Sequence, residues 1–461
     1  MNEHENEHER YFQTFMDASD ALGRYYINST PVFVLGDDKC SVNMYVRDLV
    51  TAAVLSATKV YLVGTSGSGK TLLAEAVGRA IFNEDMLYLR GDKDLTLKDL
   101  FTKINLNGTT DGEIYGRSDK IQRLIMIVDE ISRCIGLVQN QMLNAADGYA
   151  EIRGEKVELG DALRKYSMMI ATGNPPNNGE DSGVFEEIEA LLDRIGLMLF
   201  VDDYPITELD HAEIEHAKIT KNSIQKGDMR ENVIAAHDTV KRFHKELTHY
   251  FEIITAYLGP RFRFFDAGGR LVDKTHCDWR TALQGGAHGA GDAISFASDI
   301  SGRTLHETMF PHALILYYAG WRGAEGHGDL PTSVVVDAYL ESLMLNLRYD
   351  RRFLPGEYIN QHHQGEVLEY LKKVKGILRA EIDPEHLEMC AGFCNDARKD
   401  VEAGRVQMLQ DYREFLDEKM GASPMGKVTS RIIQQMQQKV LETRRRDAVR
   451  ATIAAKLARK A

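Results

Sequence analysis

The sequence predicts an α/β fold, with a parallel sheet flanked by helices, over about its first 205 residues. Val60–Val63 and Leu124–Val128 are apolar along their whole length, which is typical of strands buried on both faces. Ser167–Ala171 and Ile195–Val201 have a similar character. After Lys70, apolar residues recur at helical spacing. Strands that alternate with helices along a chain predict parallel strands in one sheet.

Length and composition are those of an ordinary globular protein. The chain has 461 residues, of which 43% are hydrophobic and 27% are charged, so two to four domains are expected. No apolar run is long enough to span a membrane, and the polar, acidic N-terminus is unlike a signal peptide. Five scattered cysteines indicate a reducing compartment. We therefore expect a cytoplasmic protein with no membrane segment.

Charge is distributed unevenly along the chain. The segment Met425–Ala461 contains ten basic and two acidic residues, a net charge of +8, whereas the whole chain carries −13 and the remainder therefore −21. A helical segment of this kind is compatible with binding to nucleic acid, to an acidic partner or to the acidic body of a neighbouring subunit. A solvated basic helix explains it equally well.

A glycine-rich turn follows the first strand. Residues 64–71 read GTSGSGKT and fit the pattern G-x-x-x-x-G-K-[ST] at every fixed position. In this pattern, backbone N–H groups surround phosphate oxygens at the start of a helix, where the helix dipole adds positive charge. The lysine reaches the β- and γ-phosphates and the hydroxyl binds Mg²⁺. The candidate binding residues are Gly64, Thr65, Ser66, Gly67, Ser68, Gly69, Lys70 and Thr71.

Two carboxylates follow the second apolar run, at Asp129 and Glu130. The carboxyl end of a buried parallel strand places them where open α/β sheets bind ligands. We assign Asp129 to the metal, together with the Thr71 hydroxyl, and Glu130 to the activation of the attacking water. An apolar run followed by two acids is a weak pattern alone, but after a complete phosphate-binding turn it is a strong one.

A polar side chain is expected at the end of the next strand. Ser167–Ala171 is followed by Thr172-Gly173-Asn174-Pro175, and we assign Asn174 to a hydrogen bond with the water or the γ-phosphate. Asn-Pro also commonly begins a turn, and the two interpretations are compatible. The sequence contains no N-K-x-D motif for guanine, which favours ATP, with Mg²⁺, as the bound nucleotide. Motor-like GTPases that lack this motif keep GTP as the alternative.

These motifs together resemble the MoxR branch of the AAA+ ATPases. The family order is P-loop, D-E-I-N-R, A-T-x-N-P and L-D-R, and the chain has Gly64–Thr71, Asp129–Arg133, Ala171–Pro175 and Leu192–Arg194 in that order. Ser132 stands where asparagine is usual. The resemblance covers the α/β region and a helical lid as far as Pro355, but not the residues from Glu366 onward.

The resemblance implies further site residues. An arginine at the position of Arg194 acts on the γ-phosphate of the neighbouring subunit, although a salt bridge to Asp193 or Glu189 would also explain it. Arg303 is the candidate second-sensor residue of the lid, with Arg261 as the alternative. Hairpins at Ile104–Tyr115 and Tyr149–Leu159 are expected to face a central pore. Among their residues, Tyr149 and Arg153 are candidate substrate contacts, although solvated hairpin faces are as good an explanation.

The sequence therefore predicts a P-loop AAA+ core, a helical lid domain and a C-terminal helical extension. The expected boundaries are 1–30 for an N-terminal helical or flexible segment, 31–205 for the core, 206–354 for the lid and 355–461 for the extension. The resemblance implies a homo-oligomeric ring, with six subunits expected, that hydrolyses ATP to remodel a protein partner, often one with a von Willebrand A-type domain. A nucleic-acid motor and a slow ATP-gated structural ring are the alternatives.

Overall fold

The computed structural model describes residues 3–92, 102–104, 115–117, 119–134, 136–152, 155–174, 194–217, 220–262, 294–295, 309–346, 348–349, 372, 375–376 and 378–458. The chain divides into two compact units. The first is formed by Met1–Lys245 with Arg263–Lys375, and the second by Glu246–Phe262 with Gly376–Ala461.

The strands are β1 (Phe33–Gly36), β2 (Ser41–Met44), β3 (Val60–Val63), β4 (Met86–Arg90), β5 (Thr102–Ile104), β6 (Tyr115–Arg117), β7 (Ile125–Asp129), β8 (Tyr149–Ile152), β9 (Glu155–Glu158), β10 (Met168–Gly173), β11 (Leu197–Phe200), β12 (Ile294–Ser295) and β13 (Arg348–Tyr349). The α-helices are α1 (Glu3–Gly23), α2 (Val46–Ser56), α3 (Lys70–Ala76), α4 (Gly136–Ala146), α5 (Glu208–Ala217), α6 (Arg230–Phe262), α7 (Phe310–Ala324), α8 (Thr332–Asn346), α9 (Pro384–Glu402), α10 (Val406–Met420) and α11 (Pro424–Ala458).

A five-stranded parallel sheet forms the centre of the first unit. Its strand order is β11-β3-β10-β7-β4. Strand β10 therefore lies between β3, which leads into the glycine-rich turn, and β7, which ends at Asp129. Strands β3, β7 and β10 are buried along their whole length, as their continuous apolar runs predict. The predicted parallel α/β sheet is confirmed.

The sheet is covered by helices on its two faces. On one face, Val138 and Met142 of α4 pack with Met126, Val128 and further side chains of the sheet. Helix α3 is followed directly by a π-helical turn, Val77–Ile81, which continues the predicted apolar spacing in a wider helix. A further helical layer joins α1, α2 and α7, where the Phe15 and Tyr317 rings stack with centroids 3.9 Å apart.

The two predicted hairpins are present to different extents. Strands β8 and β9 pair antiparallel over the second hairpin. Strands β5 and β6 pair at the ends of the first, whereas its tip, 105–114, lies outside the described residues. Strand β4, which the sequence analysis did not predict, occupies the edge of the sheet beside β7.

The second unit is a helical bundle of α9, α10 and α11 with the C-terminal part of α6. Its core contains Leu387, Cys390, Cys394, Leu409 and Ile433, all fully buried. A helical C-terminal part therefore follows the α/β core, as predicted. Within the described residues, no helix is both long and apolar enough to cross a membrane.

A buried histidine in α6 predicts pH-dependent stability. His237 packs edge-on against Tyr166, with ring centroids 5.3 Å apart, and burial lowers its pKa to about 4, with a contribution from Lys241. Between pH 6.5 and 4 the unfolded chain therefore binds more protons than the folded chain, so stability falls as the pH falls through this range.

We expect the His237→Gln variant to lose less stability on acidification than the parent chain. Proton linkage predicts that the titration of His237 lowers the free energy of unfolding by about 2 kcal/mol between pH 7 and pH 5. Urea unfolding at the two pH values measures it, and His216→Gln, which changes an exposed histidine of α5, is the matched control. The same loss in His237→Gln as in the control would contradict the assignment.

Candidate functional site

The glycine-rich turn links β3 to α3 in a conformation that depends on its glycines. Gly67 and Gly69 have φ values of +89° and +83°, a region that other residues adopt only with strain. A Cβ atom on Gly64 would lie 2.6 Å from Cγ2 of Val201, so the turn passes close to the end of β11. The turn is therefore a tight loop of backbone at the carboxyl edge of the sheet.

Lys70 lies inside this loop. Its Nζ donates to the carbonyl oxygens of Gly64 and Thr65, at 2.7 and 2.6 Å, and to Oγ of Ser68 at 3.1 Å. The residue is 7% exposed, and burial lowers its pKa, against the opposing effect of nearby carboxylates. A lysine held by neutral oxygens in this way can exchange them for phosphate oxygens, which bind it more strongly.

Asp129 ends β7 beside the loop and accepts three hydrogen bonds. Its Oδ1 accepts from Oγ1 of Thr71 and from Oγ1 of Thr172, each at 2.7 Å, and its Oδ2 accepts from the Tyr88 hydroxyl at 2.8 Å. The structure thus brings together Thr71 and Asp129, the two predicted metal ligands. A hydroxyl and a carboxylate are the hard oxygen donors that Mg²⁺ prefers, so this donor set fits the metal.

Glu130 has a left-handed backbone, with φ 57° and ψ 48°, which is uncommon for a residue with a side chain. Its N–H donates to Oγ1 of Thr172 at 2.9 Å. Its carboxylate forms ion pairs with Arg133 at 3.0 Å and with Arg90 at 4.0 Å. Both arginines are largely exposed, and exposed pairs of this kind contribute about 0–1 kcal/mol. The carboxylate can therefore leave them for a water molecule at little cost.

Asn174 follows β10 directly and is half-buried. Strand β10 lies between β3 and β7, with Gly173 in register with Val63 and Ala171 in register with Val128. Asn174 therefore leaves the sheet between the strand that leads to the phosphate-binding loop and the strand that leads to Asp129. Its side chain remains a predicted contact to water or phosphate.

Arg194 lies at the amino ends of the strands of the same sheet, on the side opposite the glycine-rich turn. It lies just before β11, and the N–H groups of Gly196 and Leu197 donate to the carbonyl of Lys59, the residue before β3. A strand of four residues spans roughly 13 Å, and this length separates Arg194 from the loop of its own subunit. Its Nε donates to Oδ2 of Asp147 at 2.9 Å. Asp193 and Glu189, the partners in the alternative salt bridge, lie outside the described residues.

A comparison with protein families identifies the domain that contains this site. Residues 59–195 match the family model of the AAA domain of the dynein-related subfamily. The α/β core is an AAA+ P-loop domain. The chain is also similar to the crystal structure of a "putative ATPase" from Cytophaga hutchinsonii ATCC 33406, at 13% identity, with coverage of 80% of this chain and 96% of that chain and a TM-score of 0.49. No curated protein matches the sequence.

Three residues of the AAA+ core were given no role by the sequence analysis. Tyr88 comes from the unpredicted strand β4. Thr172 is 1% exposed and lies inside β10, one residue beyond the predicted strand end. Asp202, after β11, accepts from the Thr65 N–H at 2.7 Å and so fixes the first turn of the P-loop. The carboxylate after the apolar run of β11 was the signal for Asp202.

Several predicted residues are not placed by the structure. Arg303 and Arg153 lie outside the described residues, as does the predicted helix Glu186–Asp193. Arg261, the alternative to Arg303, lies in the last turn of α6, which ends at Phe262. Tyr149 begins β8, and its hydroxyl donates to Oδ1 of Asn144 at 2.9 Å.

Proposed function

We propose that this chain is a MoxR-like AAA+ ATPase that assembles into a hexameric ring and hydrolyses ATP to remodel a protein partner. The observation that carries the ATPase assignment is the network of Thr71, Asp129, Thr172 and Glu130 beside the P-loop. This network holds two adjacent carboxylates, Asp129 for the metal and Glu130 for the water, at the carboxyl ends of the strands, where phosphates would bind.

Nucleotide binding is assigned to the P-loop. The backbone N–H groups of Gly67–Thr71 would surround the phosphates, and Lys70 would exchange its carbonyl partners for β- and γ-phosphate oxygens. Thr71 and Asp129 would hold Mg²⁺, which when bound neutralises charge on the β- and γ-phosphates. Tyr88 and Thr172 orient the Asp129 carboxylate for this task.

Hydrolysis is assigned to Glu130 and Asn174. The Glu130 carboxylate would accept a proton from the attacking water as the oxygen of that water bonds to the γ-phosphorus. The bond from the γ-phosphorus to the bridging oxygen would break, so that ADP leaves and inorganic phosphate is the second product. Thr172 contacts both the Asp129 side chain and the Glu130 backbone, so it sets the spacing between metal ligand and base. Asn174 leaves the sheet next to these groups, from where its amide would orient the water.

The position of Arg194 supports the proposed ring. An arginine at the amino ends of the strands is remote from its own P-loop, and across a head-to-tail interface it would act on a neighbouring subunit's site. There it would neutralise charge on the transferring phosphoryl group. Hydrolysis would then take place only where two subunits meet.

The remaining domain assignments extend this mechanism. We propose that residues 31–205 form the core, 206–354 the lid and 355–461 the extension, with 1–30 as an N-terminal segment. Arg303 would contact the γ-phosphate from the lid, so that ATP joins lid and core and hydrolysis separates them. That movement would drive remodelling of a protein partner, such as one with a von Willebrand A-type domain.

A nucleic-acid motor is the second candidate because of the basic helix α11. Within this helix, Leu441–Ala448 and Arg450 are exposed. A motor predicts ATPase stimulation by DNA or RNA that fades as salt rises. Protein remodelling predicts an ATPase rate that nucleic acid leaves unchanged.

Lys70→Ala tests the nucleotide assignment. We expect ATP affinity to fall at least about 100-fold, because two charge-assisted hydrogen bonds of about 1.5–3 kcal/mol each are lost. Titration with a fluorescent ATP analogue measures it. The matched control is Lys39→Ala, which removes an exposed lysine between β1 and β2. Wild-type affinity in Lys70→Ala would contradict the assignment.

A further inference from the structure

Arg194 is held by a defined partner within its own subunit. The Arg194–Asp147 ion pair has a 2.9 Å contact from Nε to Oδ2, and the two side chains are 21% and 24% exposed. It is therefore better shielded than another arginine–carboxylate pair at the amino ends of these strands, Arg164 with Asp238, whose side chains are 48% and 27% exposed.

The backbone of Asp147 is fixed on both sides. Its N–H donates to the Leu143 carbonyl at 3.0 Å, as in a last turn of α4, and the Gly148 N–H donates to the Ala145 carbonyl at 3.0 Å. Gly148 has φ +81°, and its carbonyl accepts from the Leu159 N–H at 2.8 Å. Asp147 therefore stands at the junction of α4 with the hairpin β8–β9, in a position that does not depend on Arg194.

The Asp147 carboxylate also influences a second cation. Lys59 donates to the carbonyl oxygens of Ala57 and Ser167. Burial lowers its pKa to about 8, and the Asp147 carboxylate opposes this fall. The ion pair with Arg194 is a direct side-chain contact of Asp147, whereas its effect on Lys59 is electrostatic.

We propose that Asp147 is a positioning residue, which holds the Arg194 guanidinium in the orientation that enters the neighbouring subunit's site. The inference rests on the proposed action of Arg194 across the interface. A long arginine side chain loses much rotamer freedom when it is fixed in one geometry. A carboxylate bound to Nε removes part of that freedom beforehand, so that less rotamer freedom is lost when the guanidinium meets phosphate.

The test uses mixed rings, in which the subunit that supplies the arginine differs from the subunit that supplies the site. Arg194→Ala subunits keep an intact site and act as acceptors. Lys70→Ala subunits lack nucleotide binding and act as donors of Arg194. The donors also carry Asp147→Asn, Asp147→Glu or, as the control ion pair, Asp238→Asn. Size-exclusion chromatography establishes that each mixture assembles.

We expect Asp147→Asn donors to restore about tenfold less kcat than plain Lys70→Ala donors, the factor expected when most of the rotamer freedom of Arg194 returns. The KM for ATP should stay unchanged, because the acceptor binds ATP with its own residues. Asp147→Glu donors should recover part of the rate, and Asp238→Asn donors all of it. Adding Asp147→Asn to the Arg194→Ala acceptor should cost no further activity, since the proposed effect of Asp147 on hydrolysis requires Arg194 in the same subunit.

If Asp147→Asn donors restore a kcat equal to or higher than that of plain Lys70→Ala donors, the inference is overturned. The carboxylate would then have no effect on the action of Arg194, or would inhibit it. An equal loss when Asp147→Asn is placed in the acceptor overturns it as well, because the effect would then be a general one on folding. If plain Lys70→Ala and Arg194→Ala subunits never regain activity together, the action of Arg194 across the interface fails, and the inference fails with it.

Discussion

The Glu130→Gln variant is expected to bind ATP with wild-type affinity and to hydrolyse it about 10²–10⁴ times more slowly, the usual contribution of a positioned general base. The amide has nearly the shape of the carboxylate but accepts no proton from water. The P-loop, Thr71 and Asp129 are untouched, so nucleotide binding and assembly should persist. Steady-state phosphate release and ATP titration, on the same preparation, measure the two quantities.

The matched control for this prediction is Glu213→Gln, which makes the same chemical change at an exposed position of α5. It should leave both quantities unchanged. If Glu130→Gln hydrolyses ATP at the wild-type rate, Glu130 is not the base. Since the variant should remain bound to ATP, it is also suited to capturing the protein partner that the proposed function requires.

The Arg194→Ala variant is expected to lose about 10³-fold or more in kcat, since an arginine that neutralises the transferring phosphoryl group contributes about 10³–10⁵. Its own P-loop is intact, so ATP affinity should change little. Arg164→Ala is the matched control, because Arg164 also forms an ion pair at the amino edge of the sheet but precedes a different strand. It should keep the wild-type rate.

Mixing separates action across the interface from action within the subunit. In a random equal mixture of Arg194→Ala and Lys70→Ala subunits, about a quarter of the head-to-tail interfaces join an intact site to an intact arginine. We expect the mixture to regain up to this fraction of the wild-type rate, whereas each variant alone is inactive. Inactivity at every mixing ratio would place the action of Arg194 within its own subunit or remove it from the mechanism.

Most of the AAA+ core could be predicted from local sequence. The P-loop fits a pattern with four fixed positions whose physical roles are known, and the strand before Asp129 is apolar throughout. The hairpin β8–β9 follows from alternating residues around a turn. In each case the structural signal lies within about ten consecutive residues, so neighbours along the chain are enough to reveal it.

The partners of the site residues could not be predicted in the same way. Tyr88, Thr172 and Asp147 reach their partners only because strands and helices distant in sequence are placed side by side. Strand β4 was missed because Met86–Arg90 is not apolar throughout. It lies at the edge of the sheet, where it pairs with β7, and its side chains alternate between half-buried and buried before the exposed Arg90. The candidate lid residue Arg303 lies outside the described residues, so its assignment still rests on the sequence.

The central claim is that hydrolysis occurs only where two subunits meet. The most direct test is the ATPase rate per subunit, measured over a dilution series while the assembly state is followed by light scattering or mass photometry. Glu130→Gln supplies the background at every concentration. We predict a rate per subunit that is constant while the ring persists and falls to this background as monomers appear. A rate that stays constant after the protein has dissociated completely into monomers would contradict the claim.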